Sequence, residues 1–394
     1  MRLCFIADAR STTARNWIGY FIAKGHEVHV VSTFASNAIP GSVLHALVPV
    51  EPRPTGIRNR WKPWINPTGA AGSIIAYVSY SLEMPAKYLV HRDRVRSIVR
   101  DVRPEILHSL RIPIEGELGA YAKHAPFVVS VWGNDFTLHA RQFPFHNFKT
   151  REVIRKVNGL FADSNTDLER AKQFGLAPTV PVLRVPGGGG VQSHNFFQGP
   201  PTVDVFTLFG IPQGSQIVMN ARGVRGYVRN DIFLSVIPRI LRKHPQTLFI
   251  GVGLKDWEPA ASVAKNPSVA KNLILTGPLP QDVLGDLYRV STVSVSPSKH
   301  DGTPNTLLEA MACGCLPVCG DLPSIREWIT PRLNGILFNA DSAEDCFGAL
   351  DTALSDTELQ LRARDLNKRI VSQHAIYDCC MKTAEDFYRR LIVS

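Results

Sequence analysis

Short, nearly unbroken apolar runs alternate with amphipathic stretches along the whole chain. Met1 to Ala7 predicts a strand buried on both faces. Thr12 to Lys24 carries Trp17, Ile18, Phe21 and Ile22 at helical spacing, and Gly25 ends it. Glu27 to Val31 predicts the second strand, so the chain opens as a βαβ unit of a doubly wound parallel sheet. Further strand-like runs follow at Glu105 to His108, Phe127 to Val131, Leu160 to Ala162 and Val182 to Val185. A second series starts at Gln216 to Met219. It continues through Thr247 to Gly251, Leu273 to Thr276, Val293 to Val295, Leu316 to Cys319 and Gly335 to Phe338. Helical patterns fill the intervals. Gln192 to Thr202 reads as the linker, which gives two α/β domains, 1–199 and 200–375.

The most specific pattern runs from Ser296 to Gly314, a strand end, a turn and a helix. Thr303 is the expected N-cap and Pro304 the first helical residue, where a missing N–H costs nothing. Leu307, Leu308, Met311 and Ala312 form the apolar stripe, and Gly314 is the stop. Such a turn offers backbone N–H groups at Gly302, Thr303, Asn305 and Thr306, at the positive end of a helix dipole, to a phosphate. Asp301 and Glu309 stand on either side of that helix start, and a carboxylate accepts hydrogen bonds from two sugar hydroxyls. The combination suits a sugar joined to a diphosphate. Its bland counterpart is an ordinary βα unit with a capped helix.

Composition narrows the class. The 394 residues are 44% hydrophobic and 20% charged, as in a soluble globular protein. Net charge is +10, from 44 Lys+Arg against 34 Asp+Glu, which favours an anionic partner. No nucleic-acid-binding module is recognisable, so that partner is not expected to be a nucleic acid. The seven cysteines are scattered, including Cys313 and Cys315, and predict free buried thiols in a reducing compartment. No leader-like N-terminus and no apolar run of about 18 residues is present. A cytoplasmic protein is expected, either in solution or peripheral at the inner membrane face.

The pattern carboxylate-x7-Glu followed by Ala-Met-Ala-Cys-Gly, with Asp301 and Glu309 as its acids, resembles the donor signature of glycosyltransferases of the GT4 type, also called group 1. The resemblance implies a GT-B fold, two Rossmann-like domains facing across a cleft, with the C-terminal helix 376–394 packed back on the first. It implies that Asp301, with the Gly302 and Thr303 amides, orients the donor sugar and that Glu309 holds the ribose. The family more often has Glu at the first position, and Asp is shorter by about 1.5 Å. In Asn220 to Asn230 the family has an Arg and, further on, a Lys on the donor diphosphate. Arg222 matches the first, Arg229 is the nearest match to the second, and Arg225 competes with it. Turns at Gly253 and Gly277 match the place of the nucleotide base.

Three other loops resemble family elements. Trp132-Gly133-Asn134-Asp135 stands where the family has His-Gly-x-Asp. Trp132 carries no imidazole, and Asp135 either contacts substrate or holds its loop; His108 and His139 are nearby alternatives with structural readings. The loop at Arg10, Ser11 and Thr12 replaces a family glycine pair, and either meets an anion or caps the first helix. Gly188 and Gly189, inside the run Gly187 to Gly190, read as cleft lining. Glu51 to Pro67 is rich in Pro, Arg and Trp, Gly69 to Tyr80 is small and apolar, and His91 to Arg100 is a basic helix. Residues 51–100 are either an acceptor loop over the cleft or a peripheral contact with an anionic membrane.

The function expected is a retaining glycosyltransferase that moves a sugar from a nucleotide-diphosphate sugar, UDP or GDP form, to a glycan, lipid-linked or small-molecule acceptor. The resemblance implies no metal, and no cofactor beyond the nucleotide-sugar co-substrate. Two rivals are a nucleotide-sugar epimerase of the same fold and a non-catalytic glycan- or membrane-binding relative.

Overall fold

The computed structural model describes residues 1–47, 90–142 and 144–393. The stretches Glu51 to Pro67 and Gly69 to Tyr80 lie outside the described residues. The basic segment after them is a helix over 90–102.

Thirteen described strands form two parallel sheets. The first contains β1 (Arg2–Ala7), β2 (Glu27–Ser32), β3 (Val43–Ala46), β4 (Ile106–Leu110), β5 (Phe127–Val131), β6 (Gly159–Ala162) and β7 (Val182–Arg184), in the order β3-β2-β1-β4-β5-β6-β7. The second contains β8 (Gln216–Asn220), β9 (Thr247–Val252), β10 (Leu273–Thr276), β11 (Val293–Ser296), β12 (Leu316–Gly320) and β13 (Ile336–Phe338), in the order β10-β9-β8-β11-β12-β13. The runs that lack alternation are the buried strands, as covering both faces with helices requires. Strand order reverses between β1 and β4 and again between β8 and β11. In such sheets ligands bind beyond the carboxyl ends of the strands at that reversal. Arg222 follows β8 and Asp301 follows β11, so the second reversal brings together two loops far apart in sequence.

The helix Tyr377–Val393 belongs to the core of the first sheet. Met381, Ala384, Phe387, Tyr388 and Leu391 pack with Leu3, Phe5, Trp17 and Phe21. The chain crosses between the sheets twice, and the crossings are bonded to each other. Val191 N–H donates to the Ala375 carbonyl at 2.6 Å, and Tyr377 N–H donates to the Val191 carbonyl at 3.0 Å. The glycines serve this junction. Gly190 has φ +103°, and a Cβ there would stand 2.4 Å from the Ala375 carbonyl oxygen. Gly189, with φ +86°, lies against Met381 and Tyr377. Gly189 is therefore packed on the returning helix and does not line the cleft.

A buried polar chain fastens the returning helix. Trp17 Nε1–H donates to the Tyr388 hydroxyl at 3.1 Å, Tyr388 bonds His108 Nδ1, and His108 Nε2 pairs with Ser130 Oγ at 2.8 Å. Burial pushes the His108 imidazole down to about 3, so the ring is neutral and its role structural. Among the described residues no helix is long and apolar enough to cross a membrane. Tyr388→Phe strands the Trp17 N–H and His108 Nδ1 in an apolar core. Chemical denaturation should register a loss of about 1–3 kcal/mol; an unchanged midpoint would mean that the chain contributes nothing.

Candidate active site

The loop after β8 is fixed by amide side chains. Asn220 Oδ1 accepts from the Arg222 N–H at 3.0 Å, Asn220 Nδ2 donates to Asn230 Oδ1 at 2.9 Å, and Asn230 Nδ2 donates to the Gly223 carbonyl at 2.8 Å. This aims Arg222 across the reversal. Its Nη2 donates to Asp301 Oδ2 at 2.6 Å and its Nη1 to Thr306 Oγ1 at 3.0 Å. The two charged side chains are only 8% and 13% exposed, and Arg222 Nε is buried with no protein partner among the described residues. Burial alone would lower Arg222, yet the Asp301 charge carries it above its ordinary value. Burial raises Asp301, and Arg222 pulls it back.

The helix after the turn is Asn305–Cys313, with Gly314 left-handed beyond its end. Its start corrects the sequence expectation. Pro304 is the extended N-cap residue and makes no side-chain cap. Thr303 does not cap the helix; its hydroxyl donates to the Asp163 carbonyl and accepts from Trp328 Nε1 at 2.9 Å. Of the amides expected at the turn, those of Asn305 and Thr306 open the helix. The Thr303 backbone faces the Asp163 carboxyl and the Gly302 N–H lies against Gly133. Glu309 is one turn further on. Burial raises its carboxyl to about 7, opposed by the Arg222 charge. Tyr288, which no sequence pattern singled out, carries a buried hydroxyl without a partner among the described residues, held well above its ordinary range by burial and then by Glu309.

The second cation differs from the expectation. Arg229 is bound by Asp231 at 2.7 Å and by Asp341, and it stands at the start of the helix Asn230–Lys243 without a side-chain capping bond. Two carboxylates already satisfy its charge. Arg225 is exposed, its Nε donates to the Arg222 carbonyl at 3.3 Å, and its charge reaches Asp301. Gly253 and Gly277 meet beside this loop. The Gly253 N–H donates to the Thr276 and Gly277 carbonyls, and a Cβ on Gly253 would lie 3.2 Å from Gly223 Cα.

The first domain closes directly on the turn. A Cβ at Gly133 would lie 1.6 Å from Gly302 N, and one at Gly302 would lie 2.1 Å from Asp163 Oδ1. Asp163 is 5% exposed, and burial with the nearby Asp167 raises its carboxyl well above the usual range. Gly188 packs against Asn305, since a Cβ there would meet its Nδ2 at 2.5 Å. Trp132 lies over Gly187 with Nε1 buried and without a partner among the described residues.

Asp135 is placed as a loop tie. It accepts from Arg111 Nε at 3.1 Å, Arg111 Nη2 at 2.8 Å, the Ile112 N–H at 3.2 Å and the Trp132 N–H at 3.2 Å. Those four bonds use the accepting capacity of a carboxylate, so a direct substrate contact is not available to it. Ser11 caps the first helix through the Ala14 N–H at 3.4 Å, Thr12 is that helix's first residue, and Arg10 pairs with Asp8 at 2.9 Å over the Phe34 ring. Glu115 had no sequence signal. It is buried, raised to about 7 by burial, and bonded to Thr33 at 2.7 Å, beside Ile114 in a strained conformation at φ 63° and ψ −68°. His139 is lowered to about 4 by burial and Arg111.

Two parallel sheets, each with an order reversal and with their loop edges opposed, make this a protein of the GT-B class. Residues 216–356 match the family model described as glycosyl transferases group 1, and residues 68–164 match glycosyl transferase 4-like. The chain belongs to this GT4 glycosyltransferase family. A D-inositol 3-phosphate glycosyltransferase of Nocardiopsis dassonvillei is 19% identical over 215 residues, 52% of this chain and 49% of that one. The serotype-specific mannosyltransferase WbdA of Escherichia coli is 29% identical over 143 residues, 36% of this chain and 17% of that one. The chain thus spans about half, or less, of the length of these curated relatives. Among solved structures, sucrose-phosphate synthase from Thermosynechococcus elongatus aligns over 100% of both chains, with TM-score 0.78 and 12% identity. Anabaena HepE in complex with UDP-glucose aligns over 99% of this chain and 100% of that one, with TM-score 0.73 and 12% identity.

With a diphosphate-bearing probe such as UDP, Arg225→Ala should weaken binding about tenfold, the loss of one charge-assisted contact, and Arg229→Ala by less than about twofold. Calorimetric titration ranks the two; the opposite order would restore Arg229 as the second cation.

Proposed function

We propose that the protein transfers a sugar from a UDP-sugar to a hydroxyl acceptor, with retention at the anomeric carbon and without a required metal. One observation carries the reading. Arg222, the opening amides of the helix Asn305–Cys313 and the carboxyl of Glu309 converge at the order reversal of the second sheet. That set matches the parts of a nucleoside diphosphate sugar. Arg222 and Arg225 with the Asn305 and Thr306 amides neutralise the leaving diphosphate, where charge develops in the transition state. Asp301 accepts from the donor sugar's hydroxyls, and Glu309 from the ribose. The UDP form is favoured by the structural relative bound to UDP-glucose.

The chemistry asks little covalent work of the protein. The bond from the anomeric carbon to the diphosphate breaks, the bond to the acceptor oxygen forms on the same face, and the acceptor's proton passes to the departing phosphate. Closing the cleft supplies orientation and excludes water. Such a donor site also serves an epimerase, so the product decides between the two readings.

Incubation with UDP-glucose should give slow release of glucose and UDP, undiminished by EDTA. An epimeric nucleotide sugar would select the epimerase reading, and failure to bind any nucleotide would select the non-catalytic one. Asp301→Asn should keep UDP affinity within about threefold and lower turnover by about a hundredfold or more; wild-type turnover would refute its assignment.

Glu309 adds a pH signature. Ribose hydroxyls donating to it favour its ionised form, while the free protein holds it at about 7. Affinity for UDP-glucose, whose diphosphate does not titrate in this range, should be full above about pH 7. It should fall on the acid side by at most about tenfold per pH unit. Glu309→Gln should bind more weakly and without that slope. A wild-type affinity flat between about pH 6 and 8 would remove Glu309 from the ribose.

A further inference from the structure

One short segment of the second domain holds both the donor turn and the first domain. Glu327 ends the 3-10 turn Ile325–Glu327, after β12. Its carboxylate reaches the other sheet and accepts from the Asn165 N–H, the Thr166 N–H and the Thr166 hydroxyl, each at 2.8 Å. Those amides open the helix Asn165–Gln173, where the helix itself provides no acceptor. Ser164 caps only the Asp167 amide, at 3.1 Å. The carboxylate also lies at the positive end of the helix dipole and 3.5 Å from Arg184 on β7. The next residue, Trp328, donates Nε1–H to Thr303 Oγ1, and Thr303 donates to the Asp163 carbonyl. Ser324 donates to the Asp301 carbonyl at 2.7 Å.

We infer that Ser324 to Trp328 is a clasp that couples closure of the cleft to the placement of the Asp301–Thr303 turn, with Glu327 as its positioning residue. Docked, Glu327 presses Gly302 onto Gly133 and lets Thr303 bridge Trp328 and Asp163. Undocked, the turn keeps the bonds of its own domain, from Ser324, Arg222 and Trp328, and Thr303 loses the Asp163 carbonyl. The fit is narrow. Glu327 uses both oxygens for three donors, glutamine offers one oxygen, and aspartate falls short by about 1.5 Å. No part of the clasp belongs to the donor clamp, so opening it should separate nucleotide binding from turnover. That last effect alone rests on the glycosyltransferase reading; the closure itself does not.

The test uses the full chain as wild type, Glu327→Gln and Glu327→Asp, with Trp328→Phe as a milder variant that keeps the ring and removes the donor. Amide hydrogen exchange at Asn165 and Thr166 should quicken about tenfold or more in the Glu327 variants. Small-angle scattering should give a larger radius of gyration. UDP affinity should stay within about twofold, while hydrolysis of UDP-glucose should slow about tenfold or more. Trp328→Phe should shift turnover in the same direction by less. Wild-type exchange and radius in the Glu327 variants would overturn the clasp. If exchange rises along the whole chain in those variants, Trp328→Phe decides: wild-type turnover there overturns the clasp. A wild-type chain that does not bind UDP would sink the donor assignment of the preceding section, while exchange and scattering still judge the clasp.

Discussion

The ion pair between Arg222 and Asp301 is the constraint around which the second domain's loop edge is arranged. It joins two loops 79 residues apart, and both side chains are nearly sealed from water. Such a pair adds little net stability, because desolvation offsets the attraction, yet removing one partner strands the other at a cost of about 3–5 kcal/mol. Its value lies in geometry. Arg222 must point across the order reversal to find a counter-charge, and Asn220 and Asn230 hold the backbone that aims it. With Arg222 so placed, Thr306 at the helix start and the carboxyl of Glu309 fall within its field.

The facing domain is fitted to this edge through positions that tolerate no side chain. Gly133 stands against Gly302, Gly302 against Asp163, and Gly188 against Asn305. A Cβ at Gly133 would meet the Gly302 backbone and drive the sheets apart, whereas one at Gly302 or Gly188 would first displace the Asp163 or Asn305 side chain. The polar groups behind the contact are there to hold loops. Asp135 spends all its accepting capacity on Arg111 and two backbone amides, and Thr303 spends its hydroxyl on Asp163 and Trp328. Packing and polar satisfaction thus assign to scaffolding several residues whose chemistry alone suggested direct contact.

The alternation of apolar runs was enough to read two parallel sheets from their buried strands, but not the half-exposed edge strand Val43–Ala46. The helix-start motif was legible for the same kind of reason: spacing within one turn and one helix is local information. What failed to read was non-local. Arg222, Arg225 and Arg229 look alike in sequence, and distant partners separate them: Asp301 holds the buried Arg222, and Asp341 joins the neighbouring Asp231 on Arg229. Thr303 before a proline is an ordinary N-cap signal, but a tertiary donor, Trp328 Nε1, drew it away. The glycine run reads in sequence as cleft lining, whereas Gly189 and Gly190 make room for the crossing chain and its returning helix. Tyr288, Glu115 and Glu327 carried no motif at all; their environment comes from residues distant in the chain.

Two of the positions that would attract an outside anion are already filled by the protein's own carboxylates. Asp301 occupies Arg222, and Glu327 occupies the opening amides of Asn165 and Thr166. The two differ in what an incoming ligand can do. A diphosphate offers Arg222 a second counter-charge, so under the proposed function Asp301 can be released toward the sugar without leaving the guanidinium stranded. Glu327 has no such replacement, because a donor bound by the second domain brings nothing to the amino end of the helix Asn165–Gln173. Exchange of partners at Arg222 is therefore nearly balanced, while opening at Glu327 exposes two orphan amides and a carboxylate to water. Part of the free-energy cost of moving the domains thus sits at Glu327, in addition to the bonds that Thr303 makes to Asp163 at the turn itself. Under the proposed function, the placement of the donor and part of the hold on the cleft thus fall to different side chains.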